Sequence, residues 1–371
     1  MVGAATDDSA MSATAGTAAP SLPRVGRAVA LGGAALLALA LFVLTVAVGS
    51  VSIPVGEVVR LLLGQEASEQ SWAVIVREVR LPRAVTGLLA GAALGVSGLQ
   101  MQTLFRNPLA DPFILGISAG ASLGVALVVL VAGAAGTAMV GGLGLLGNLG
   151  VAGAAAVGAA VVTTGVLALS RRVTGPATVL IVGLMAGYAT SAIVSVLIYS
   201  GFGRLERIQA YVAWGFGSFG GTTWSELQVF VPVLVLGIAL STAGTKQLNA
   251  LLLGDRYAAS MGLHVRRARL AIILAASLMA GTVTAFCGPI AFLGVAVPHL
   301  TRGLVRSGDH RLLVPGVALV GAATALTAGL VAQLPGTDTT LPLNAVTSLI
   351  GAPVVVAVLL RMRRRGSAVL T

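Results

Sequence analysis

The chain has 371 residues, of which 57% are hydrophobic and only 9% are charged. This composition leaves too few polar side chains to cover a soluble globule, so it excludes an ordinary water-soluble protein. The net charge of +11 does not indicate a nucleic-acid interface, because the basic residues lie in short loops and at the carboxyl end without interleaved aromatic residues.

Residues 1–27 are small, polar and rich in turn formers, and we expect them to form a disordered cytoplasmic tail. The apolar run that follows, residues 28–48, has the length of about 20 helical residues that a bilayer crossing needs. The hydrophobic core of a secretory signal is shorter, about 7 to 15 residues. We therefore interpret this run as a first membrane helix and not as a signal peptide.

Apolar runs of similar length recur along the chain and predict about ten membrane helices. They are too long and too uniformly apolar for barrel strands, so the predicted fold class is an all-α, polytopic membrane protein. The predicted spans are residues 28–48, 84–104, 113–132, 145–169, 178–200, 226–243, 270–287, 290–305, 312–332 and 341–360. Residues 28–361 then form one transmembrane domain, and residues 362–371 form a second cytoplasmic tail.

The segment 270–306 is the least regular part of this prediction, because Gly288, Pro289, Gly294 and Pro298 interrupt it. Two crossings there, rather than one, place the basic run 361–365 on the same side as the amino terminus. With both termini inside, inner segments carry all but six of the 23 Lys and Arg residues, which agrees with the positive-inside rule. The six on the outer side are Arg60, Arg77, Arg80, Arg83, Arg204 and Arg207.

Two glycine ladders flank the polar turn at residues 106–112, and residues four apart share one helix face. The first ladder predicts helix packing and consists of Gly87, Gly91 and Gly95. The second opens from the broken turn, where a role in lining a transport path is nearly as well supported as packing. The residues that we assign to a translocation path are Gly116, Ser118, Gly120, Ser122 and Gly124.

Further backbone breaks are expected at Gly288–Pro289, at Pro298 and at residues 351–353, which read Gly-Ala-Pro. Irregular backbone at membrane depth must be covered by protein or must line a water-filled cavity. These breaks therefore predict an internal cavity. Cys287, the single cysteine, lies within an apolar run and is expected to be a small buried residue.

The sequence lacks the groups that other classes of protein need. Every Asp and Glu falls in a loop, a tail or a span end, which argues against an ion-coupled secondary transporter. No HExxH pattern or cysteine cluster indicates a metal site, and Lys246 is not in a P-loop. We expect no catalytic residue, no metal and no cofactor in this chain, so energy for active transport must come from a partner.

The predicted cytoplasmic segment 246–269 is too short and too polar to cross the membrane. It contains two apolar-faced half-helices that end at Gly254 and Gly262, residues that suit helix ends. Either it lies on the membrane surface, or its exposed Leu, Tyr and Met side chains contact a cytoplasmic protein. The spacing alone does not distinguish the two.

Several motifs resemble the FecCD family of permeases, the membrane subunits of bacterial ABC importers for ferric siderophores, haem and vitamin B12. The resemblance runs from about residue 30 to residue 365. The motifs are RLPR (80–83), GAALGVSGLQMQTLFRNPLADPFILGISAGA (91–121), LGDRYAASMGL (253–263), GPIAFLGVAVPHLTR (288–302), DHRLLVPG (309–316) and LPLNAVTSLIGAPV (341–354).

The resemblance implies a type II ABC importer permease fold, with both termini of the chain in the cytoplasm of a bacterium and the helices in its cytoplasmic membrane. It also implies a second permease subunit, identical or paralogous, two P-loop ATPase subunits that bind ATP and Mg, and an extracytoplasmic substrate-binding protein. By resemblance, segment 246–269 is a coupling loop that seats in the ATPase. The residues that we assign to this contact are Leu253, Gly254, Ala258, Met261 and Gly262.

The resemblance further implies that Arg80 and Arg83 dock the binding protein, although juxtamembrane arginines also serve as interface anchors. A third arginine of the vitamin B12 permeases aligns with Gln333 here. His299 is expected to be structural and not an iron ligand, because the family carries it whatever its cargo. The expected cargo is a ferric siderophore, that is, chelated iron, with haem or vitamin B12 as alternatives.

Overall fold

The computed structural model describes residues 23–49, 51–132, 150–170, 176–200, 205–333 and 340–367. Helices account for nearly all of them. The long helices and their short connecting helices are α1 Arg24–Ala47, α2 Val55–Leu62, α3 Gln70–Val74, α4 Leu81–Phe105, α5 Ile117–Ala126, α6 Gly150–Ser170, α7 Pro176–Tyr199, α8 Leu205–Gly215, α9 Trp224–Ala243, α10 Thr245–Leu252, α11 Asp255–Ser260, α12 Val265–Cys287, α13 Leu293–Val305, α14 His310–Ala332 and α15 Leu343–Ser367.

Three short segments depart from α-helical geometry. A π-helical turn, Ile75–Arg80, joins α3 to α4, so that Gln70–Phe105 runs as one continuous helix. A 3₁₀ turn, Pro112–Leu115, precedes α5, and a second π-helical segment, Leu127–Ala132, extends it. π-Turns inside helices accommodate an extra residue and bring neighbouring side chains to new directions.

A helix lies at each of the ten predicted spans, although residues 145–149 of the fourth span lie outside the described residues. Seven of these helices are long and apolar enough to cross a membrane. Two further apolar helices are shorter, Ile117–Val131 and Leu343–Val358. The all-α, polytopic fold class is therefore confirmed.

Segment 270–306 forms two helices, α12 and α13, that turn back at Gly288. The second has only 13 residues, which span about 20 Å and not the whole hydrocarbon layer. The irregular residues before it are covered by protein, since Ser218 N donates to Cys287 O at 2.8 Å and Ala291 N donates to Asn344 Oδ1 at 3.1 Å. Cys287 is buried, as expected.

Helix α4 lies at the centre of the bundle and packs against α9, α12, α13 and α14. Its glycines allow direct backbone contact, because a Cβ at Gly91 would overlap the carbonyl oxygen of Gly321, and one at Gly98 would overlap that of Gly294. The packing role predicted for the first ladder is confirmed. Small residues at such interfaces permit the close approach that holds membrane helices together.

The second ladder is also a packing surface, on α5 against α6. A Cβ at Gly120 would lie 2.5 Å from the carbonyl oxygen of Gly158, and one at Gly124 would overlap that of Ala154. At Gly116, where φ is +77°, it would lie 2.9 Å from Val162 Cγ1. These three glycines therefore pack closely against neighbouring helices.

One predicted break is corrected, and two helix ends differ from the predicted spans. The Gly-Ala-Pro sequence at residues 351–353 does not break α15, because Gly351 packs against Phe292 and the helix continues through Pro353. Helix α15 also extends to Ser367, so residues 362–367 are helical. At the other end α1 begins at Arg24, while residues 1–22 of the predicted tail lie outside the described residues.

We predict that Gly120→Ala destabilises the protein by about 1–3 kcal/mol, the usual effect of overpacking, since the new methyl group meets the backbone of α6. The measurement is the midpoint of thermal unfolding in detergent. Gly165→Ala is the matched control, because a Cβ there meets nothing within 4 Å. Equal midpoints for the two variants would contradict the packing role of Gly120.

Candidate functional site

Arg80, one of the two predicted docking arginines, is buried, with only 4% of its surface exposed. Its guanidinium caps the end of α1: Nη1 donates to Val46 O at 3.1 Å and to Ala47 O at 2.6 Å, and Nη2 donates to Val51 O. The last carbonyls of a helix lack partners within the helix and favour a cation. Arg80 therefore joins the end of α1 to the start of α4, and it is not free to meet a partner protein.

Arg83 has different surroundings. It lines a cavity of about 310 Å³ between the start of α4, the end of α14 and the loops at residues 216–220 and 340–343. The backbone of Gly220 lies against its guanidinium, where a Cβ would come within 2.5 Å of Nη2. No hydrogen bond or ion pair holds this guanidinium among the described residues, so it can bind an incoming anion. We call this space the Arg83 cavity.

The loop after α8 forms one wall of the Arg83 cavity. Phe219 is buried and inserts between α4 and α14, where Gly87 and Gly329 leave room for its ring. Asn344 N donates to Phe216 O at 3.0 Å, which joins this loop to the start of α15. The walls of the cavity come from the ends of several helices and from two loops, and they include none of the backbone breaks from which an internal cavity was predicted.

Gln333 also lines the Arg83 cavity, at the end of α14. This is the position at which the resemblance implied a third arginine. The structure thus brings Arg83 and Gln333 to one cavity and leaves Arg83 as the only charged residue in its wall among the described residues.

The other end of α4 meets α10 and α11, the two short helices of the predicted coupling segment. Gly254, with φ at +112°, separates them, and Gly262, with φ at +83°, follows α11. Both backbone conformations are ones that residues with a Cβ rarely adopt. The glycine spacing predicted these two helix ends, and the structure has them there.

Three apolar side chains project from this segment. Leu253, Tyr257 and Met261 are 62%, 57% and 60% exposed. We call them the apolar row. Ala258, which we assigned to the same contact, is fully buried and packs against the protein, so it cannot touch a partner directly. Tyr257 takes its place in the row.

Two arginines hold α11 in position. Arg269 Nη2 donates to Asp255 Oδ1 at 2.9 Å and Oδ2 at 2.7 Å, and Arg106 Nη2 donates to Asp255 Oδ1 at 3.2 Å. Arg106 also reaches Leu251 O at 3.3 Å. Each exposed ion pair alone contributes little to the stability of the fold. Two cations on one carboxylate nevertheless fix the geometry of the segment against α4 and α12.

A second network ties α10 to α14 and α4. Asn249 Nδ2 donates to Asp309 Oδ1 at 2.7 Å, while Asn249 Oδ1 accepts from His310 N at 2.9 Å and from His310 Nδ1 at 2.8 Å. The opposite ring nitrogen of His310 lies 2.8 Å from Thr103 Oγ1. Asn249 and His310 were not predicted as site residues, because nothing in their local sequence indicates that the two approach each other. We call this network the Asn249 latch.

Hydrogen bonds at this latch also lower the pKa of a carboxyl group, that of Asp309. Asp309 caps α14, and acceptance from Arg311 N, with a smaller contribution from the Asn249 side chain, holds the pKa of the Asp309 carboxyl below its usual range. The carboxylate is thus ionised at neutral pH and remains a full acceptor for Asn249. This strengthens the link between α10 and α14.

The turn between α4 and α5 packs on α13. His299 Nε2 donates to Pro108 O at 2.8 Å, which supports the structural role expected for this histidine. Asp111 Oδ1 accepts from Phe113 N at 2.8 Å, and burial nonetheless raises the pKa of the Asp111 carboxyl to about 6. Arg302 Nη1 donates to Gln102 Oε1 at 2.7 Å and joins α13 to α4.

The five residues predicted to line a path differ in their burial. Ser118 and Ser122 are half-buried on α5, whereas Gly116, Gly120 and Gly124 are buried against neighbouring helices. Gly124 also lines a groove of about 420 Å³ between α5 and α6, whose walls do not include Gly116, Ser118, Gly120 or Ser122.

Comparison with known proteins agrees with this architecture. The model of the FecCD transport family matches residues 36–361. The hemin transport system permease protein of Yersinia pestis is 34% identical over 309 residues, 83% of this chain and 89% of that protein. The vitamin B12 import system permease protein of Escherichia coli is 36% identical over 294 residues, 78% of this chain and 85% of that protein.

A solved structure of an inward-facing metal-chelate type ABC transporter is similar in fold. It has a TM-score of 0.75 and 27% sequence identity, and the match covers 90% of this chain and 99% of that one. The family match spans most of the chain, and two relatives exceed 30% identity over most of their length. The protein therefore belongs to the FecCD transport family and is the permease of an ABC importer.

Proposed function

We propose that this chain forms half of the membrane channel of an ATP-driven importer and that its cargo is a ferric siderophore. The observation that carries the proposal is the α10–α11 segment, which presents the apolar row outward while the Asp255 pairs and the Asn249 latch fix it to α4, α12 and α14. A segment with an exposed apolar surface, held on its inner side by hydrogen bonds and ion pairs, can transmit a partner's movement to the membrane helices as a rigid body.

The partners follow from this arrangement. Two cytoplasmic P-loop ATPases, which bind ATP and Mg, would each receive one apolar row, and a second permease subunit would complete the channel. The Arg83 cavity, at the opposite end of α4, would receive a carboxylate of an extracytoplasmic binding protein. In this proposed orientation both termini lie in the cytoplasm of a bacterium, which agrees with the distribution of Lys and Arg.

Haem and vitamin B12 are the competing cargoes, since the two relatives described above are named for hemin and vitamin B12. All three cargoes are metal chelates, and the metal arrives already coordinated. Uptake into vesicles that contain this permease with its own ATPase and binding protein distinguishes them, with each labelled cargo offered in turn. Uptake of hemin or vitamin B12 without siderophore uptake would overturn the siderophore proposal.

An ion-coupled secondary transporter is the competing class of function. Among the residues that the structure describes, no carboxylate lies in the middle of a membrane helix, where such carriers hold the coupling ion. Copurification with a P-loop ATPase separates the two classes, because a secondary transporter needs none.

The two arginines of RLPR should respond differently to substitution. We predict that Arg83→Gln weakens capture of the binding protein about tenfold and lowers its salt sensitivity, because the cavity loses its charge. Arg80→Gln should instead lower thermal stability, since each charge-assisted hydrogen bond contributes about 1.5–3 kcal/mol. Binding-protein pull-down at two salt concentrations and thermal unfolding measure the two effects.

Arg77→Gln, at an exposed arginine one turn earlier, is the control for both measurements. Unchanged capture by Arg83→Gln would contradict docking at the Arg83 cavity. Weakened capture by Arg80→Gln in a fully folded protein would return Arg80 to a direct docking role.

The apolar row should determine affinity for the ATPase. We predict that the double variant Leu253→Ser, Met261→Ser binds the ATPase about tenfold more weakly, because two exposed apolar side chains lose their burial in the complex. The measurement is the affinity of the purified permease for its ATPase. Lys246→Ser, on exposed α10 surface outside the row, should bind normally, and equal affinities for both variants would argue against this contact.

The Asn249 latch should affect coupling and not assembly. We predict that Asn249→Ala keeps ATPase binding but lowers cargo transported per ATP about fivefold, as expected for losing roughly 1 kcal/mol of hydrogen bonding between α10 and α14. Transport and hydrolysis are measured in the same vesicles. Gln247→Ala, on the same helix, is the control, and an unchanged ratio in Asn249→Ala would show that the latch transmits nothing.

A further inference from the structure

We propose that a groove on the membrane face of this protein binds an anionic phospholipid, with its acyl chain between α1, α13 and α14 and its phosphate at Arg27. The groove has a volume of about 570 Å³. The residues that line it are Val29, Ala30, Gly33, Ala34, Leu37, Leu300, Leu304, Val320, Ala323, Thr324, Thr327 and Ile350.

The walls of the groove offer no free hydrogen-bond donor to a polar ligand. The two threonine hydroxyls are already used, because Thr324 Oγ1 donates to Val320 O at 2.7 Å and Thr327 Oγ1 donates to Ala323 O at 2.8 Å. The rest of the lining is apolar. Since α1 is long and apolar enough to cross a membrane, a lipid chain is the apolar molecule that surrounds this surface.

The inner ends of the three helices meet at one end of the groove. A Cβ at Gly316 on α14 would touch Thr301 of α13 at 2.9 Å and Leu31 of α1 at 3.1 Å. Arg27 lies one turn before Leu31. It also precedes Ala30 and Ala34 by three and seven residues, so it shares the helix face that lines the groove.

The charge at this end is unpaired. Arg27 Nε is buried without a hydrogen-bond partner, and no ion pair involves Arg27 or Arg306 within the described residues. Arg306 is exposed at the end of α13, two residues beyond the groove residue Leu304. The nearby carboxylate of Asp309 is occupied by Asn249 and by Arg311 N. An anion can therefore satisfy these arginines where no protein carboxylate does.

An apolar groove that ends at unpaired arginines matches a phospholipid better than a free phosphate. The phosphate would meet the guanidinium through charge-assisted hydrogen bonds, while the chain would fill the groove by apolar contact. A free phosphate would use the arginines and leave the groove empty. The assignment of this site to the cytoplasmic leaflet rests on the orientation proposed above. The site itself does not depend on that orientation.

Two adjacent glycines provide a matched test. A Cβ at Gly32 or at Gly33 meets nothing within 4 Å, so neither position is crowded, but only Gly33 lines the groove. The full-length permease would be purified in detergent from vesicles of mixed phosphatidylglycerol and phosphatidylcholine, and the retained lipid would be counted by mass spectrometry. We expect Gly33→Leu to retain at least about fivefold less phosphatidylglycerol than Gly32→Leu, because its side chain occupies the groove.

A second pair of variants tests the charge without filling the groove. We expect Arg27→Gln to lose the preference for phosphatidylglycerol over phosphatidylcholine about fivefold, while Arg267→Gln, at an exposed arginine on α12, keeps it. Added inorganic phosphate should not displace the lipid. Equal lipid retention in all four variants, equal retention of both lipids by the unmodified protein, or displacement by phosphate would each overturn the proposal.

Discussion

The structure depends on direct backbone contact between α4 and its neighbours. Inside a bilayer, burial of apolar side chains gives little drive for helix association, because lipid chains are equally apolar, so close packing must supply it. Glycines on both sides of the α4–α14 contact, Gly91 and Gly321, and of the α4–α13 contact, Gly98 and Gly294, leave no side chain between the backbones. Helices this close cannot slide or tilt past each other freely, so they move together.

This contact unites the two ends of the molecule. Helix α4 begins at the Arg83 cavity and ends at Arg106, which holds Asp255 of α11. Helix α14 runs the opposite way, from His310 in the Asn249 latch to Gln333 in the Arg83 cavity. Both sites are thus built on the same pair of packed helices. In the proposed coupling mechanism, a displacement imposed on α10 and α11 would reach the cavity through these helices, without a separate chain of side-chain rearrangements.

The sequence predicted the positions of the helices better than it predicted which helices pack against one another. Hydropathy located a helix at each of the ten predicted spans, seven of them long and apolar enough to cross a membrane, because bilayer thickness acts on each segment alone. A glycine ladder shows that a helix face is flat but not what lies against it, so the sequence could not show that α6 packs against the α5 ladder. The Asn249 latch was not predicted for the same reason, since Asn249 and His310 are 61 residues apart in the sequence. The prediction of a break at residues 351–353 is wrong. Gly351 makes room for the Phe292 side chain, and the helix is unbroken there.

The two arginines of the motif RLPR have different surroundings. Arg80 lies in the π-helical turn before α4, which directs its guanidinium to the last carbonyls of α1, and three acceptors hold it there. That capping fixes the start of α4 relative to α1, and Thr45 of α1 is itself part of the Arg83 cavity wall. Arg83 is therefore held at a defined place while its charge stays unpaired among the described residues. A fixed but unsatisfied cation favours an anion at a matching position, so the capping of α1 by Arg80 supports the proposed docking role of Arg83.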